Sequence, residues 1–417
     1  MATPSQSATR ERVSARTWGI CILLFLATAI IYLDRQVMAL TAEKIISEFG
    51  LTKEGFGRVI AAFRYSYGIF QIFGGFLVDA HGPGIVFPAT SGLWAFSGLL
   101  TGLAATVGML TGFRFLLGIG EAFNWPCALK VTSALLPSED RPLANGIFNS
   151  GAPVGALLAP IIVTVITIYF SWRAAFVATG IIGAGWVIVW ILYTRGQSSQ
   201  LKGSPFPLIK MFHVMVRILS MRGFWMLAVS AIIINGVNYY LADWIPLYLK
   251  TSRGFSFAVG NLLTIVIYAG TSAGNILSGL LVRKLVASGV GIENAKKLTL
   301  FLSCVLMLAA VAAGLTSSRF LAVIFLALTG VGVAGFLVIY LTLVQDLDPA
   351  YVGVSSGLLG GLGNLAYGYL SPYIGLLADL HKTFLTLTLI GVLPWLAFFA
   401  IFFGMRTENH DGRLHSS

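Results

Sequence analysis

Apolar runs long enough to cross a lipid bilayer recur from one end of this chain to the other, and no other feature narrows its fold so far. A helix needs about 20 apolar residues to span the hydrocarbon core. Cut at polar or Gly/Pro punctuation, the runs number twelve. They fall near 17–40, 56–78, 84–106, 109–136, 142–168, 173–194, 223–249, 256–282, 296–315, 319–345, 351–378 and 383–405. Backbone N–H and C=O groups find no water in that core, so only helices or closed barrels can cross it. Barrel strands alternate apolar and polar residues, and these runs are too long and too evenly apolar for that. The expectation is an all-α membrane protein. With 10% charged residues, against about 25% in an ordinary soluble domain, the chain has lipid as the solvent for most of its surface.

The first run follows a polar leader holding Arg10, Arg12 and Arg16. It is too long for the apolar core of a signal peptide and lacks a cleavage site, so it reads as the first span. With both termini in the cytoplasm, the larger share of the Lys and Arg falls on the cytoplasmic side, as the positive-inside rule requires. The expected location is the inner (plasma) membrane, multi-pass. The net charge of +11 thus reads as topology, and nucleic acid is not implied. Cys21, Cys127 and Cys304 lie in apolar runs without metal-type spacing and read as small buried hydrophobes. No metal and no cofactor is expected.

The most polar interior stretch, 195–222, has six runs on each side. The expected organisation is a leader (1–16), a six-helix half (17–194), a cytoplasmic linker (195–222), a second six-helix half (223–405) and a cytoplasmic tail (406–417). Corresponding positions look alike. GGFLVD (74–79) follows the second run and SGLLVR (278–283) the eighth, and the fifth and eleventh runs both carry Gly then Pro, Gly146 and Pro160 against Gly357 and Pro372. Together these point to a duplicated six-helix unit, an arrangement typical of transporters, whose halves rock about a site near the midplane. The GxxxG of Gly151 and Gly155 suits close helix approach in lipid.

Seven ionisable groups interrupt the runs: Asp34, Arg35, Arg64, Arg114, Glu121, Lys130 and Asp243. A charge at the bilayer centre costs about 3 kcal/mol on the insertion scale, and such residues mark pathways or proton relays. Arg114 and Glu121 are seven apart and share a helix face. Separated by ~10 Å along the axis, each needs a partner elsewhere. Asp34 and Arg35 diverge by about 100° and are not each other's natural partner. The acids Asp34 and Glu121 can be neutralised by protons; Arg35 and Arg114 cannot lose theirs and can hold an anion. An ionised Asp34 is expected to be held by Arg35 or Arg114 across a central cavity. The alternative is a permanent Asp–Arg and Glu–Arg network that only locks the helices together. Arg64 reads as a group that snorkels outward or as an extra anion contact. Asp243, toward the outer end of the seventh run, reads as a gate or interface residue.

Uncharged polar groups cluster in the same runs: Tyr32, Tyr67, Gln71, Asn124, Asn149, Ser150, Asn235, Tyr239, Asn364 and Ser371. An amide offers both donor and acceptor, which suits sugar hydroxyls. Hydrogen bonding between helices is the competing explanation. Asn149 and Asn364 fall at comparable places in the two halves.

The stretches YLDRQV, FRFLLGIGEAFNWP, GIFNSGAPVGALLAP, WIPLYLKTSRGFS and GNLAYGYLSP resemble the anion:cation symporters of the major facilitator superfamily. GEAFNWPCALK followed by GIFNSG is most similar to hexuronate transporters. The resemblance implies carriage of organic anions, often sugar acids, with protons. It places Asp34 and Glu121 at the proton-coupling positions and Arg35 and Arg114 at the substrate carboxylate. Three departures stand out. Ile31 occupies a place where family members commonly carry Asn. GFLVDAHGPG (75–84) has Ala80, Pro83 and Gly84 where the family's loop motif is basic, leaving Asp79, a conformational residue, without its usual neighbouring cations. Arg64 is unusual at its position.

The leading expectation is a proton-coupled importer of a hexuronate-like sugar acid. It is driven by the proton gradient, and its partners are a small organic anion, protons and the lipid bilayer; the expected state is a monomer. An importer of another carboxylate, such as an aldonate, aromatic acid or monocarboxylate, is the alternative. A drug/proton antiporter is weaker, because the fifth run lacks the G-x3-G-P-x2-G-G pattern of antiporters. An enzyme is not expected: the sequence holds no HExxH and no phosphate loop.

Overall fold

The structure is a computed structural model that describes residues 14–137, 140–197, 200–203, 208–347 and 352–411. The leader before residue 14, the tail beyond 411 and parts of the 195–222 linker lie outside the described residues. The described chain is helical, with no strand among the described residues.

In chain order the helices are α1 (Ala15–Leu40), α2 (Ala42–Phe49), α3 (Lys53–His81), α4 (Pro83–Gly102), α5 (Val107–Glu121), α6 (Asn124–Leu135), α7 (Arg141–Tyr169) and α8 (Trp172–Thr194). Then follow α9 (Leu208–Ser220), α10 (Arg222–Asp243), α11 (Ile245–Thr251), α12 (Phe257–Ala287), α13 (Ile292–Met307), α14 (Ala309–Leu315), α15 (Arg319–Leu347), α16 (Val352–Asp379) and α17 (Thr383–Asp411). Nine helices among the described residues are long and apolar enough to cross a membrane. Large apolar side chains such as Ile168, Ile181, Ile276, Ile324 and Leu396 stand on the outside, as a helix surrounded by lipid requires.

Three expected runs are broken: 296–315 at Leu308, and two others each beside a proline. The run 109–136 divides into α5 and α6 at Ala122 and Phe123. Pro126 has no N–H to give to the Ala122 carbonyl, and its ring crowds that oxygen, so the helix cannot pass straight through. Pro246 separates α10 from α11 in the same way.

Helix pairing follows small residues. A methyl group at Gly151 or Gly155 would run into the carbonyl oxygens of Phe25 and Ala29, so α7 lies directly on α1. The GxxxG is thus a packing device. Helix α3 lies along α16, α4 on α8, α12 on α15 and α10 on α16; α3 also packs on α5, and α13 and α14 pack on α17. Gly82, at φ 80°, turns the chain between α3 and α4, where its backbone meets Leu201–Gly203.

The bundle is tied at the end that the charge distribution assigns to the outside. Asp379, closing α16, accepts from the backbone N–H groups of Lys53 (3.2 Å) and Glu54 (3.0 Å) and so caps α3. A carboxylate suits the positive end of a helix. Lys250 of α11 donates to the Leu40 carbonyl (2.8 Å) and to Asn261 (3.1 Å), and Tyr268 donates to Gln36.

Candidate functional site

Six of the seven charges that look anomalous in the sequence, all but Lys130, converge inside the bundle. Helix α1 brings Tyr32, Asp34 and Arg35; α3 brings Arg64, Tyr67 and Gln71; α5 brings Arg114 and Glu121; α10 brings Tyr239 and Asp243; α16 brings Asn364, Tyr367 and Ser371.

Arg35 Nε donates to Glu121 Oε2 at 2.5 Å, and Glu121 is fully buried. The Arg35 guanidinium is walled by aromatic faces: Tyr67 at 4.7 Å, Tyr32 at 5.1 Å and Phe63 at 5.6 Å from the ring centroids. Such stacking suits a guanidinium, which is planar and weakly hydrated. Glu121 Oε1 is buried with no hydrogen-bond partner. The two needs read from the sequence, a base for Glu121 and an acid for Arg35, thus answer each other between α1 and α5.

Asp34 departs from expectation. Its Oδ1 is 2.5 Å from the Thr179 hydroxyl of α8, and no arginine hydrogen-bonds to it; Oδ2 is buried without a partner. The physical reason is direction. Successive helix residues diverge, so Arg35 turns to α5 while Asp34 turns to α4 and α8, beside Gly98. The same Thr179 hydroxyl lies 3.0 Å from the Phe176 carbonyl. It has one proton to give. If the carbonyl takes it, the Asp34 contact needs a protonated acid; if Asp34 takes it, an ionised one serves.

Arg114 is 3% exposed, and its guanidinium lies 4.6 Å from the Phe176 ring centroid. Nε and Nη2 have no acceptor, although Asp34 and Glu121 are within Coulombic range. It is a buried cation with unfilled donors.

Arg64 does not snorkel. It is 5% exposed and reaches inward, donating through Nη2 to Asp243 Oδ2 at 2.8 Å and through Nη1 to Asn364 at 3.4 Å. Its guanidinium carbon lies 3.8 Å from the Tyr239 ring centroid. The face of α3 that carries it is covered by α16, so the side chain has no route to the bilayer edge. Asp243 is therefore a partner of Arg64 between α3 and α10.

The amides divide. Asn364 is buried and joins helices: Nδ2 donates to Gln71 Oε1 (3.2 Å) and to the Gly360 carbonyl (2.9 Å). Asn124 donates to Thr28 (3.3 Å) and Asn235 to the Ala231 carbonyl of its own helix (2.9 Å). Asn149 and Ser150 are exposed on α7, and Ser150 bonds its own helix at Ile147. Asn149 and Asn364 therefore do not have comparable surroundings. Ser371 Oγ and Tyr367 Oη are buried without partners. At the opposite end of α3 from Lys53, Asp79 pairs with Lys130 of α6 at 2.6 Å, so a cation absent from its own loop is supplied by another helix. Thr179, Phe176 and Tyr367 escape a reading of the sequence, because a threonine or an aromatic residue in an apolar run carries no signal.

The three cysteines are buried and free. No group of acids, histidines and cysteines suited to a metal occurs among the described residues.

The chain is similar to known proteins along most of its length. It is 28% identical to the probable sulfoacetate transporter of Cupriavidus necator over 385 residues, covering 85% of this chain and 86% of that one. It is 26% identical to the hexuronate transporter of Escherichia coli over 420 residues, covering 94% and 92%. A crystal structure of a bacterial homologue of the human lysosomal transporter Spinster, inward-facing and unoccupied, shares the fold with a TM-score of 0.72 at 19% identity, covering 93% of this chain and 98% of that one. The sequence profile described as Major Facilitator Superfamily matches residues 24–369, and the chain belongs to that superfamily.

Proposed function

We propose that the chain is a proton-coupled symporter that imports an organic anion, a hexuronate-like sugar acid, by alternating access. One observation carries the reading: Arg35 is neutralised by a fully buried Glu121 while Arg114 beside them keeps unfilled donors. A proton on Glu121 would release Arg35 for a substrate carboxylate, and Arg114 already offers free N–H groups. Asp34, hydrogen-bonded to a hydroxyl that serves either protonation state, supplies a second exchangeable site. No group other than the proton gradient is needed as an energy source.

Twelve transmembrane helices in two six-helix halves are the arrangement this mechanism uses. The helix pairing supports it. Helix α1 on α7 in the first half corresponds to α10 on α16 in the second, α4 on α8 to α13 and α14 on α17, and α3 on α5 to α12 on α15. The halves would rock in the inner membrane with both termini in the cytoplasm, as a monomer. A carboxylate other than a sugar acid is the second reading, favoured by the relative named for sulfoacetate.

The test is uptake by proteoliposomes of the purified protein. Acid outside should drive accumulation of a labelled sugar acid, and collapse of the pH gradient should abolish it. Accumulation that follows ATP and ignores the gradient would reject the reading.

A further inference from the structure

Helix α9 carries more apolar surface than the bundle covers. Val214 and Ile218 are buried in the large core, and Met215 and Leu219 pack beside them. At about 100° per residue, Phe212 and Val216 continue the same arc, yet they are 65% and 49% exposed. His213, Arg217 and Ser220 occupy the remaining, exposed side. The 13 residues of α9 reach only ~20 Å at 1.5 Å each, too short to cross the bilayer. A helix of this pattern lies in the plane of the interface, with its apolar side sunk to the acyl boundary.

The fold puts α9 at that boundary. Helix α10 starts at Arg222, directly after α9, and runs to Asp243 beside the tied outer end. Helix α9 therefore lies at the opposite end, which the charge distribution assigns to the cytoplasm, and packs there on α10 and α16. Trp225, 55% exposed, donates its indole N–H to the Leu219 carbonyl (2.9 Å) and so joins the end of α9 to the first turn of α10. Tryptophan is enriched where membrane meets water, its ring among the headgroups.

Charge selects the lipid. The segment 195–222 holds Arg195, Lys202, Lys210, Arg217 and Arg222 and not one Asp or Glu. Helix α10 opens at Arg222 without a side-chain cap and without an acid in its first turn, so the positive end of its dipole adds to the same field. A zwitterionic headgroup gains little from such a field. A cluster of Lys and Arg beside a membrane helix attracts anionic lipid, each residue adding about fivefold.

We propose that the outward face of α9 is a docking surface for anionic phospholipid of the cytoplasmic leaflet. Phe212, Val216 and Trp225 lie against the acyl chains, and Arg217 and Arg222 meet the phosphates. The inference does not depend on what the protein carries.

The experiment uses the purified full-length protein in vesicles. The native cysteines are buried, so Val216→Cys gives a thiol that a bimane label reaches. Brominated phosphatidylglycerol should quench the label about twofold more than brominated phosphatidylcholine at the same mole fraction, and high salt should shrink the difference. Arg217→Gln together with Arg222→Gln should make the two lipids equal. Arg283→Gln together with Lys284→Gln removes the same charge from the exposed end of α12 and should keep the preference. Arg222→Gln alone should lose about half of it, and keeps the test usable if the double variant does not fold. Equal quenching by the two lipids in the labelled parent overturns the inference. So does a label that neither lipid quenches, which would put this face against water or another protein. A preference that survives the loss of both arginines, or that falls as far with the α12 pair, overturns it as well, since the lipid would then answer to charge elsewhere on the protein.

Discussion

Glu121 accepts a hydrogen bond from Arg35 at 2.5 Å from a position with no solvent exposure at all. Eighty-six residues separate the two, and without Arg35 the Glu121 carboxylate would be an uncompensated buried charge. Breaking a buried pair by removing one partner costs about 3–5 kcal/mol, so loss of either side is strongly unfavourable.

Glu121→Gln and Asp34→Asn imitate the protonated acids. Both variants should retain binding and counterflow exchange while losing accumulation driven by a proton gradient. The comparison of counterflow with uphill uptake in the same proteoliposomes decides. Asp34→Asn that concentrates substrate as wild type does would reduce Asp34 to a structural partner of Thr179.

Arg114→Ala should abolish binding of the carboxylate, and Arg114→Lys should rescue little. The unfilled Nε and Nη2 belong to a planar fork resting on Phe176, and an ammonium reproduces neither the stacking nor the two directed donors. Equilibrium binding measures this directly; near-native affinity in Arg114→Ala would remove it from the anion site.

Asn364→Ala should lower thermal stability and weaken a hydroxylated substrate and its deoxy analogue alike. The amide is already engaged by Gln71, Gly360 and Arg64, and each lost neutral hydrogen bond is worth about 1 kcal/mol. A loss confined to the hydroxylated analogue would instead place Asn364 in contact with the cargo.

Outside the spans, Glu48 gives a pH dependence with a definite sign. The Trp172 indole N–H donates to it at 2.5 Å, and together with Arg173 it holds the carboxyl below its ordinary value. A depressed carboxyl contributes stability that is present above its unfolded pKa and lost as pH falls through the folded one. Wild type should therefore melt higher than Glu48→Gln at neutral pH, and the gap should close in acid. A gap constant with pH would mean that the contact acts by packing alone. The group is half-exposed, and solvent screening keeps the effect small.

What the sequence determined by itself is what depends on one helix at a time. Apolar length decides where helices form, and Pro126 and Pro246 decide where two of them break. A charge in an apolar run is visible without knowing its neighbours, so Asp34, Arg35, Arg114 and Glu121 stand out at once. The tertiary structure decided who meets whom. Adjacent residues on a helix point about 100° apart, so the partners of Asp34 and Arg35 depend on which helices lie to each side. Those places are set by backbone contact at glycines such as Gly151 and Gly155. Thus Asp34 meets a threonine that no pattern marks, and Arg64 turns inward because α16 covers its face. Asn149 and Asn364, alike in sequence, end up exposed and buried, since burial is a property of the neighbouring helix and not of the run that carries the residue.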